Sequence, residues 1–424
     1  DNRTNKAIQN NEFTFAMYET DEDFDIAGHT ALTVSNTGSV FSWTEKYTKV
    51  GTYYYVIVEG QTSAAGVTID KAEHHVTVSV TADENGVPTV TQSVLRLGTT
   101  VAENANVDIF FRNTYKPAPI SVTIDGTKSL TGEKVSKTLE HGMFTFHLTE
   151  NGQVKDTAEN TAFTGAFEFD AITYTEAGTH IYYVEEVIPA AGTAERVAGV
   201  VYDTSKFKVT VTVTDDGSGQ LAAGKSVEKV GSAGTVSAII FNNKYEPTPE
   251  TDLVIEATKE LRNRTLVKDE FTFNIYEANA NFTLKTGRVL FDTTNDANGK
   301  VRFDFGAENI AFDTLGTYYY LIKEAIPTGQ NADPAISYDT TEYQVTVVIY
   351  DQGGKLSSHV SYAVNGRAVE EDEVEFINYH FDVVEKDVFK KGEEETSIDG
   401  KVVKAGDILT YEITYGNTSQ ENRA

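Results

Sequence analysis

The sequence contains no cysteine among its 424 residues. Disulfide bonds, thiolate metal sites and cysteine nucleophiles are therefore excluded, although disulfides are the usual covalent stabilisation of proteins outside the cell. Basic residues are also scarce, with 35 Lys and Arg against 64 Asp and Glu and a formal net charge of -29. We therefore expect no nucleic acid partner, because binding to phosphate needs a basic surface.

Long apolar runs are missing as well. No stretch of about 18 apolar residues occurs, so the sequence predicts no membrane insertion and no signal peptide. Aromatic residues, in contrast, are plentiful, with 22 Tyr and 23 Phe. A chain of this length and composition is expected to fold into about three domains of 100–200 residues, each with a packed core.

Three segments recur along the chain in the same order, and this order predicts tandem repeats. An opening segment containing Phe-Thr-Phe comes first, then a tyrosine-rich strand, then a long alternating strand with a closing strand. The tyrosine-rich strands read "GTYYYVIVEG" from Gly51, "GTHIYYVEEVIP" from Gly178 and "GTYYYLIKEAIP" from Gly316. We define repeat 1 as residues 1–116, repeat 2 as 117–246 and repeat 3 as 247–380. Residues 381–424 are interpreted as the start of a truncated fourth β domain.

The recurring segments predict an all-β fold of tandem immunoglobulin-like β-sandwich domains. They alternate with period two and are rich in Val, Thr, Ile, Tyr and Phe, which is typical of strands. Asn-Gly pairs at Asn85, Asn151, Asn298 and Asn365 predict tight hairpins. The Pro-x-Pro linkers "YKPAP" and "YEPTP" favour stiff connections, so we expect an elongated rod.

Three polar residue types fall on the apolar side of these strands. In a strand, residues i and i+2 share one face, so parity separates core from solvent. The glutamate of each tyrosine-rich strand and the asparagine of each closing strand share their parity with apolar neighbours, as does a lysine in the opening strands of repeats 2 and 3. These residues are Glu59, Glu186 and Glu324; Asn113, Asn243 and Asn378; and Lys128 and Lys259.

Such residues, buried together, could react with each other. Unpaired buried charges cost several kcal/mol, and burial lowers the pKa of a lysine and raises that of a glutamate. A neutral amine is a nucleophile. A protonated carboxyl could hydrogen-bond the asparagine carbonyl and polarise it. Attack of the lysine on the asparagine, with loss of ammonia, would leave an isopeptide bond.

This trio, the tyrosine-glutamate strand and the closing strand resemble the pilin isopeptide-linkage repeats of Gram-positive surface proteins and major pilins, which have CnaB-like sandwiches. The segments from Tyr182 to Pro189 and from Tyr320 to Pro327 also resemble the E-box of sortase-assembled pilins. The resemblance implies two crosslinks, each with a catalytic glutamate. They are Lys128–Asn243 with Glu186, and Lys259–Asn378 with Glu324.

Repeat 1 departs from this pattern. It has Glu59 in the position of the catalytic glutamate and Asn113 as an unpaired acceptor, but no evident lysine. In repeat 3 the lysine lies a fixed distance before the Phe-Thr-Phe segment, and the same distance in repeat 1 leads to Asp1. We therefore expect the lysine upstream of this chain, since Lys6 has the wrong spacing.

In the tail, Lys386 and Asp407 are conceivable reactants, although an ordinary strand is the preferred interpretation.

These observations predict a structural protein, a shaft or stalk segment of a cell-wall-anchored adhesin or pilus at the bacterial surface. The expected partners are neighbouring domains or subunits of the same surface protein or pilus, with a host ligand as a further option. No enzymatic activity is expected beyond single-turnover isopeptide formation, and no cofactor or metal site is predicted. The alternative is an adhesin module that binds a host ligand or glycan. A polymerised shaft and a monomeric stalk both remain open.

Overall fold

The computed structural model describes residues 7–97, 103–105, 108–381, 384–391, 397–398, 401–404 and 407–415. Within these ranges the regular structure is almost entirely β, as predicted, with two short 3-10 helices at Gly329–Asn331 and Glu371–Glu373. No helix in the described ranges has the length and apolarity needed to cross a membrane. The chain divides into two compact units. The first takes residues 1–129, 139–188 and 203–242, and the second takes residues 130–138, 189–202 and 243–424.

Repeat 1 lies in the first unit and contains one large sheet. Its six strands follow the order β2-β1-β3-β5-β6-β7, and β4 pairs separately with β8. The strands are β1 (Phe13–Thr20), β2 (Ala31–Ser35), β3 (Gly51–Thr62), β4 (Val67–Thr68), β5 (Glu73–Ala82), β6 (Pro88–Leu97), β7 (Glu103–Ala105) and β8 (Thr114–Tyr115).

Repeat 2 contributes twelve strands. Its six-stranded sheet has the order β12-β11-β15-β17-β18-β19 and lies in the first unit. The strands are β9 (Ile120–Val122), β10 (Asp125–Thr131), β11 (Thr145–Glu150), β12 (Gln153–Glu159), β13 (Ala166–Glu168), β14 (Ile172–Tyr174), β15 (Gly178–Glu186), β16 (Val200–Val201), β17 (Lys206–Asp215), β18 (Leu221–Lys229), β19 (Thr235–Val236) and β20 (Ile240–Tyr245).

The opening strand of repeat 2 differs from its predicted form. The sequence favours one continuous strand, whereas the structure has β9 and β10 with a break between them. The break arises because the two halves have different partners: β9 pairs with β14, and β10 pairs with β13. The alternating pattern continues across the break, which is why the sequence does not reveal it.

Repeat 3 lies in the second unit and forms two facing sheets. Their orders are β23-β22-β25-β27-β28-β29 and β24-β21-β30-β26, with β21 and β30 parallel. Phe273 and Phe376 bridge the sheets with ring centroids 5.1 Å apart. The strands are β21 (Val254–Arg262), β22 (Thr272–Ala278), β23 (Leu284–Thr294), β24 (Lys300–Asp304), β25 (Gly316–Glu324), β26 (Ile336–Ser337), β27 (Tyr343–Asp351), β28 (Leu356–Val364), β29 (Arg367–Val369) and β30 (Glu375–His380), followed by the hairpin β31 (Val384–Lys390) and β32 (Leu409–Tyr415).

Two of the four Asn-Gly pairs form the tight hairpins that the sequence predicts, whereas Asn85 and Asn298 lie in longer loops between Ala82 and Pro88 and between Asn295 and Val301. Asn151 and Gly152 have φ of 52° and 77° between β11 and β12, and Asn365 and Gly366 have 49° and 80° between β28 and β29. A two-residue type I′ turn needs positive φ at both central positions, and Asn and Gly adopt it at low cost.

Candidate functional site

Repeat 3 brings one lysine, one glutamate and one asparagine together inside its sandwich. Lys259 comes from β21, Glu324 ends β25, and Asn378 lies on β30. Lys259 Nζ donates to Glu324 Oε2 at 2.7 Å, and Asn378 Nδ2 donates to Glu324 Oε1 at 2.6 Å. The side chains of Lys259 and Glu324 are both 0% exposed. Both oxygens of one carboxylate therefore hold the amine and the amide in a dry site.

Burial governs the ionisation of this site. Desolvation is the main cause that lowers the pKa of Lys259, although the neighbouring carboxylate opposes it. Desolvation likewise raises the pKa of Glu324, against the effects of the lysine and of Asn378. Both shifts favour the neutral amine and the neutral acid over the ion pair.

The amide of Asn378 is oriented differently from the sequence-based expectation. The sequence argument has the acid hydrogen-bonded to the asparagine carbonyl, whereas the structure directs the amide nitrogen to Glu324. The carbonyl oxygen instead accepts the backbone N–H of Asp339 at 2.7 Å. Because the Asp339 N–H already donates to Asn378 Oδ1, the carboxylate of Glu324 faces Asn378 Nδ2.

Asp339 is one of three aspartates that occupy the same position in the three repeats, and the pattern of the sequence did not single them out. Its side chain accepts the backbone N–H of Ile377, the residue before Asn378, at 2.8 Å. Asp70 accepts Arg112 N–H at 2.7 Å and Asp203 accepts Asn242 N–H at 2.8 Å in the same relation. These aspartates can nevertheless be recognised in the sequence, because each stands in a short segment, "IDK", "YDT" or "YDT", just before the long alternating strand of its repeat.

A recurring buried asparagine holds the backbone of the aromatic residue that lies beside the lysine. Lys259 Nζ lies 4.6 Å from the ring centroid of Phe271, whose backbone N–H donates to Asn295 Oδ1 at 2.8 Å. Asn295 is fully buried, and its Nδ2 donates to two backbone carbonyls. The aromatic face stabilises the cationic form of the buried lysine. Asn36 and Asn160 accept the backbone N–H of Phe13 and Phe144, which begin the other two Phe-Thr-Phe segments, in the same way.

Repeat 2 pairs its lysine and glutamate in the same way. Lys128 Nζ donates to Glu186 Oε2 at 2.7 Å, and both side chains are 0% exposed. The lysine lies 4.7 Å from the ring centroid of Phe144, and burial lowers its pKa. Asn243 on β20 is also fully buried. Thr127 N–H donates to Ile239 O in this repeat, as Thr258 N–H donates to Val374 O in repeat 3, so the strands have matching registers.

Repeat 1 contains the glutamate and the asparagine. Asn113 Nδ2 donates to Glu59 Oε1 at 2.7 Å, and both residues are 8% exposed. The backbone N–H of Asp70 donates to Asn113 Oδ1 at 2.7 Å and to Glu59 Oε2 at 3.2 Å. In the described part of the repeat, Glu59 Oε2 accepts the backbone N–H of Asp70, and no lysine donates to it. Burial raises the pKa of Glu59.

The remaining candidates lie at the two ends of the chain. Lys6 falls outside the described residues, and so does the side chain of Lys386. Asp407 lies 3.5 Å from Lys390 as an ion pair, and its side chain accepts the backbone N–H of Lys404. These contacts are consistent with an ordinary hairpin.

Beside the repeat 1 site lies a buried histidine. His74 on β5 is 1% exposed, and neither ring nitrogen has a hydrogen-bond partner in the described part of the chain. Its ring packs edge-on against Phe111, and the charged groups near it are Arg96 and Asp70. Burial and, to a lesser extent, Arg96 lower the pKa of His74 to about 4.

This histidine is expected to make the stability of repeat 1 depend on pH. The unfolded chain binds a proton near pH 6.5 and the folded chain only near 4. The free energy of unfolding should therefore be highest above pH 6.5 and fall by up to about 3 kcal/mol as the pH drops to 4. Trp43 is the only tryptophan and lies in repeat 1, so its fluorescence during urea unfolding measures this repeat.

The matched variant is His74→Phe, because Phe207 and Tyr343 stand at the same distance after Asp203 and Asp339. It should remove this pH dependence and leave the value above pH 6.5 nearly unchanged. An unaltered slope between pH 6.5 and 4 in the variant would show that other groups are responsible.

The sequence matches one family model three times. The model is described as FctA: Spy0128-like isopeptide containing domain, and it matches residues 2–116, 124–246 and 255–417. No curated protein matches the chain.

Solved structures that match the chain include pilus proteins and repeats of a collagen-binding protein. A major pilin (T-13) of Streptococcus pyogenes is 15% identical, with 62% of this chain and 98% of the pilin covered and a TM-score of 0.25. A C-terminal fragment of the pilus adhesin SpaC of Lactobacillus rhamnosus GG is 12% identical, with 62% and 99% covered and a TM-score of 0.25. Two B repeats of the Staphylococcus aureus collagen-binding protein are 12% identical, with 99% and 91% covered and a TM-score of 0.20.

Proposed function

The chain belongs to the family of Spy0128-like isopeptide-containing domains, and on this premise we propose that repeats 2 and 3 each form an intramolecular Lys–Asn isopeptide bond. The bonds join Lys128 to Asn243 and Lys259 to Asn378. Domains of this family are structural, so the chain is a structural protein and not an enzyme. Its function is that of a covalently stabilised shaft or stalk segment in a pilus or cell-wall-anchored adhesin of a Gram-positive bacterium.

The observation that carries the proposal is the shared carboxylate of repeat 3. Glu324 Oε2 lies 2.7 Å from the lysine Nζ and Oε1 lies 2.6 Å from the amide Nδ2 of Asn378. An acid in this position can accept a proton from the nucleophile with one oxygen and deliver a proton to the leaving group with the other.

The reaction then proceeds within the site. Proton transfer within the ion pair gives a neutral amine and a neutral acid, as burial favours. Lys259 Nζ attacks Asn378 Cγ, and the Asp339 N–H, 2.7 Å from Oδ1, stabilises the charge that develops on that oxygen. Glu324 takes a proton from Nζ and gives one to Nδ2. The Cγ–Nδ2 bond breaks, ammonia leaves, and a secondary amide remains.

In repeat 2 the proposal extends the same chemistry to Lys128, Glu186 and Asn243. It is supported by the buried 2.7 Å contact between Lys128 and Glu186, by the aromatic ring at the amine and by the strand register shared with repeat 3. The burial of Asn243 adds to this support. Because Asn243 follows Ile239 by the same interval as Asn378 follows Val374, we assign Asn243 as the acceptor.

The bonds suit a protein that transmits force outside the cell. Each one ties the start of a repeat to its end with an amide, which reducing agents do not cleave, and the sequence contains no cysteine. The boundaries proposed for the repeats remain 1–116, 117–246 and 247–380. The partners we propose are neighbouring domains or subunits of the same pilus or surface protein.

Intact mass measured under denaturing conditions tests the function. The folded chain is expected to be lighter than its sequence by two ammonia masses, one for each bond. Glu186→Ala and Glu324→Ala should each restore one ammonia mass, because each removes a single proton relay.

Glu185→Ala is the matched control for the first variant. Glu185 is the sequence neighbour of Glu186 but forms a partly exposed ion pair with Lys206, so its loss should leave the mass deficit unchanged. A wild-type chain at its full sequence mass would refute the proposed function.

A further inference from the structure

The linker between repeats 1 and 2 is hydrogen-bonded on both sides. In "YKPAP" both prolines lack an N–H, so after the tyrosine the linker offers only the donors of Lys116 and Ala118. Lys116 N–H donates to Gly66 O of repeat 1 at 2.9 Å, and Ala118 N–H donates to Gly219 O of repeat 2 at 2.8 Å. One donor therefore binds the preceding repeat and the other binds the next.

The second linker, "YEPTP", repeats this arrangement. Glu246 N–H donates to Gly199 O of repeat 2 at 2.7 Å, and Thr248 N–H donates to Gly354 O of repeat 3 at 3.0 Å. Thr248 O in turn accepts the Leu356 N–H at 2.8 Å, and the first linker makes the same return bond. Each linker thus forms a parallel bridge to the next repeat.

We call each of these arrangements a joint. Joint 1 comprises residues 65–66, 115–118 and 215–221, and joint 2 comprises residues 198–199, 245–248 and 351–356. Each joint lies entirely inside one of the two compact units, joint 1 in the first and joint 2 in the second. The same set of contacts therefore occurs twice, in two separate parts of the molecule.

A tyrosine and an aspartate close each joint. The Tyr115 hydroxyl donates to Asp215 Oδ1 at 2.9 Å and accepts the Gly219 N–H at 3.1 Å. In joint 2 the Tyr245 hydroxyl donates to Asp351 Oδ2, and Tyr245 is only 1% exposed, so water competes little for this bond. A side chain of one repeat is thus bonded to the turn between two strands of the next.

A glycine in each of these turns lets the main chains approach closely. Gly219 has φ of 93°, and a Cβ placed on it would lie 2.4 Å from Ala65 Cβ. Gly354 has φ of 98°, and a Cβ there would lie 2.5 Å from the carbonyl carbon of Ala198. Non-bonded atoms do not approach this closely, so a side chain at either position would push the joint apart.

The tyrosine and the aspartate belong to the joints and are not needed to fold a single repeat. The last residue of the long alternating strand is Asp215 in β17 and Asp351 in β27, but Ala82 in β5. Two places after the closing asparagine, repeats 1 and 2 have a tyrosine, but repeat 3 has His380. Repeats 1 and 3 still form their six-stranded sheets. The two residue types occur together at both joints.

We propose that the joint residues form a docking surface that holds two consecutive repeats in one fixed orientation. The partner of this surface is a second repeat of the same kind, whose long alternating strand ends in aspartate and whose next turn carries a glycine. The tyrosine supplies directional hydrogen bonds, the linker supplies main-chain pairing, and the glycine allows close contact. The joint therefore acts as a rigid coupling and not as a hinge, so a pull or a twist on one repeat passes directly to the next.

The test uses the full chain with two introduced cysteines, Thr89→Cys in repeat 1 and Val154→Cys in repeat 2. Both positions are exposed, and the chain has no cysteine of its own, so spin labels attach at these two positions only. Double electron–electron resonance then measures the distribution of distances between the labels across joint 1. We expect a single narrow peak.

Gly219→Ala is expected to broaden or shift this peak, because its Cβ collides with Ala65. The matched control is Gly86→Ala. Gly86 follows β5 by the same interval as Gly219 follows β17, and its φ is 80°, but a Cβ there meets nothing within 4 Å. Both substitutions strain a turn and only the first disturbs the joint, so the control should keep the narrow peak.

Tyr115→Phe tests the hydroxyl alone, because it keeps the aromatic ring. Hydrogen exchange of the Ala118 amide, which donates across joint 1, should become about tenfold faster, the usual effect of losing one hydrogen bond. Tyr183→Phe is the matched control, since the ring of Tyr183 lies 4.9 Å from Lys206 Nζ and outside joint 1. It should leave the exchange of Ala118 unchanged.

Three results would overturn the proposed docking surface. They are a broad distance distribution in the labelled chain, a narrow peak that survives Gly219→Ala, and unchanged exchange of Ala118 in Tyr115→Phe. An equal change in Gly86→Ala would also overturn it, because strain in a turn would then explain the effect. The joint residues lie outside the Lys–Glu–Asn sites, so a chain at its full sequence mass that keeps the narrow peak would refute the proposed function alone.

Discussion

Lys259→Met is expected to lower the free energy of unfolding of repeat 3 by about 4–5 kcal/mol, because it removes the proposed covalent loop of roughly 120 residues. The bond constrains the unfolded chain between β21 and β30, and its loss restores that conformational freedom. Methionine keeps an unbranched side chain in the buried position and introduces no charge. The variant therefore measures the contribution of the bond itself.

Glu324→Ala is expected to destabilise repeat 3 further. It removes the bond and also leaves Lys259 buried without its carboxylate, which typically costs about 3–5 kcal/mol more. Burial lowers the pKa of this lysine, so the folded variant binds fewer protons than the unfolded chain. The variant should gain stability as the pH rises toward the ordinary lysine pKa, whereas Lys259→Met should show no such gain.

Native-state hydrogen exchange of the full chain, read by mass spectrometry on peptides from β21 and β30, measures both effects. Lys323→Met is the control, since Lys323 lies on the outer face and forms a partly exposed pair with Glu342 at 2.8 Å. An exposed pair of this kind contributes about 0–1 kcal/mol. Equal protection in wild type and Lys259→Met would show that no bond ties these strands.

Pulling on the two ends of the chain is expected to extend repeat 1 and to leave repeats 2 and 3 almost unextended. In each of these repeats the proposed bond joins a residue near the start to one near the end, so force would pass through the amide and bypass the strands between. Without the bond, roughly 120 residues become extensible, which adds about 400 Å of contour length. Glu186→Ala and Glu324→Ala should each add one such unfolding event.

Single-molecule force spectroscopy provides the measurement. Glu59→Ala is the control, because repeat 1 has no lysine at its carboxylate in the described part of the chain. It should leave the number of long extensions unchanged, although repeat 1 itself will unfold at lower force. Long extensions from repeats 2 and 3 in the wild type would contradict the covalent bypass.

The position of the reactive residues could be predicted because strand parity is a local property. Lys259, Glu324 and Asn378 share the parity of their apolar neighbours, and the structure buries all three. Their recurrence distinguishes them from isolated buried polar residues. The all-β class followed from the alternating strands and the family from the resemblance of the recurring motifs, and both are confirmed.

Other features could not be predicted from local pattern. The break between β9 and β10 depends on the two partner strands, and the orientation of the Asn378 amide depends on the backbone of Asp339. The supporting asparagines at Asn160 and Asn295 lie outside the alternating strands, where parity carries no information. Their roles become visible only when the loops are folded against the Phe-Thr-Phe strands.

The sequence by itself determined which side chains face the core, since alternation along a strand depends only on neighbouring residues. It also determined that repeat 1 has the acid and the amide without an evident lysine. The tertiary structure decided which atoms meet, because contacts between strands far apart in the chain depend on register and sheet packing. It also decided that both carboxylate oxygens of Glu324 are engaged at once, since Lys259 and Asn378 come from strands far apart in the chain.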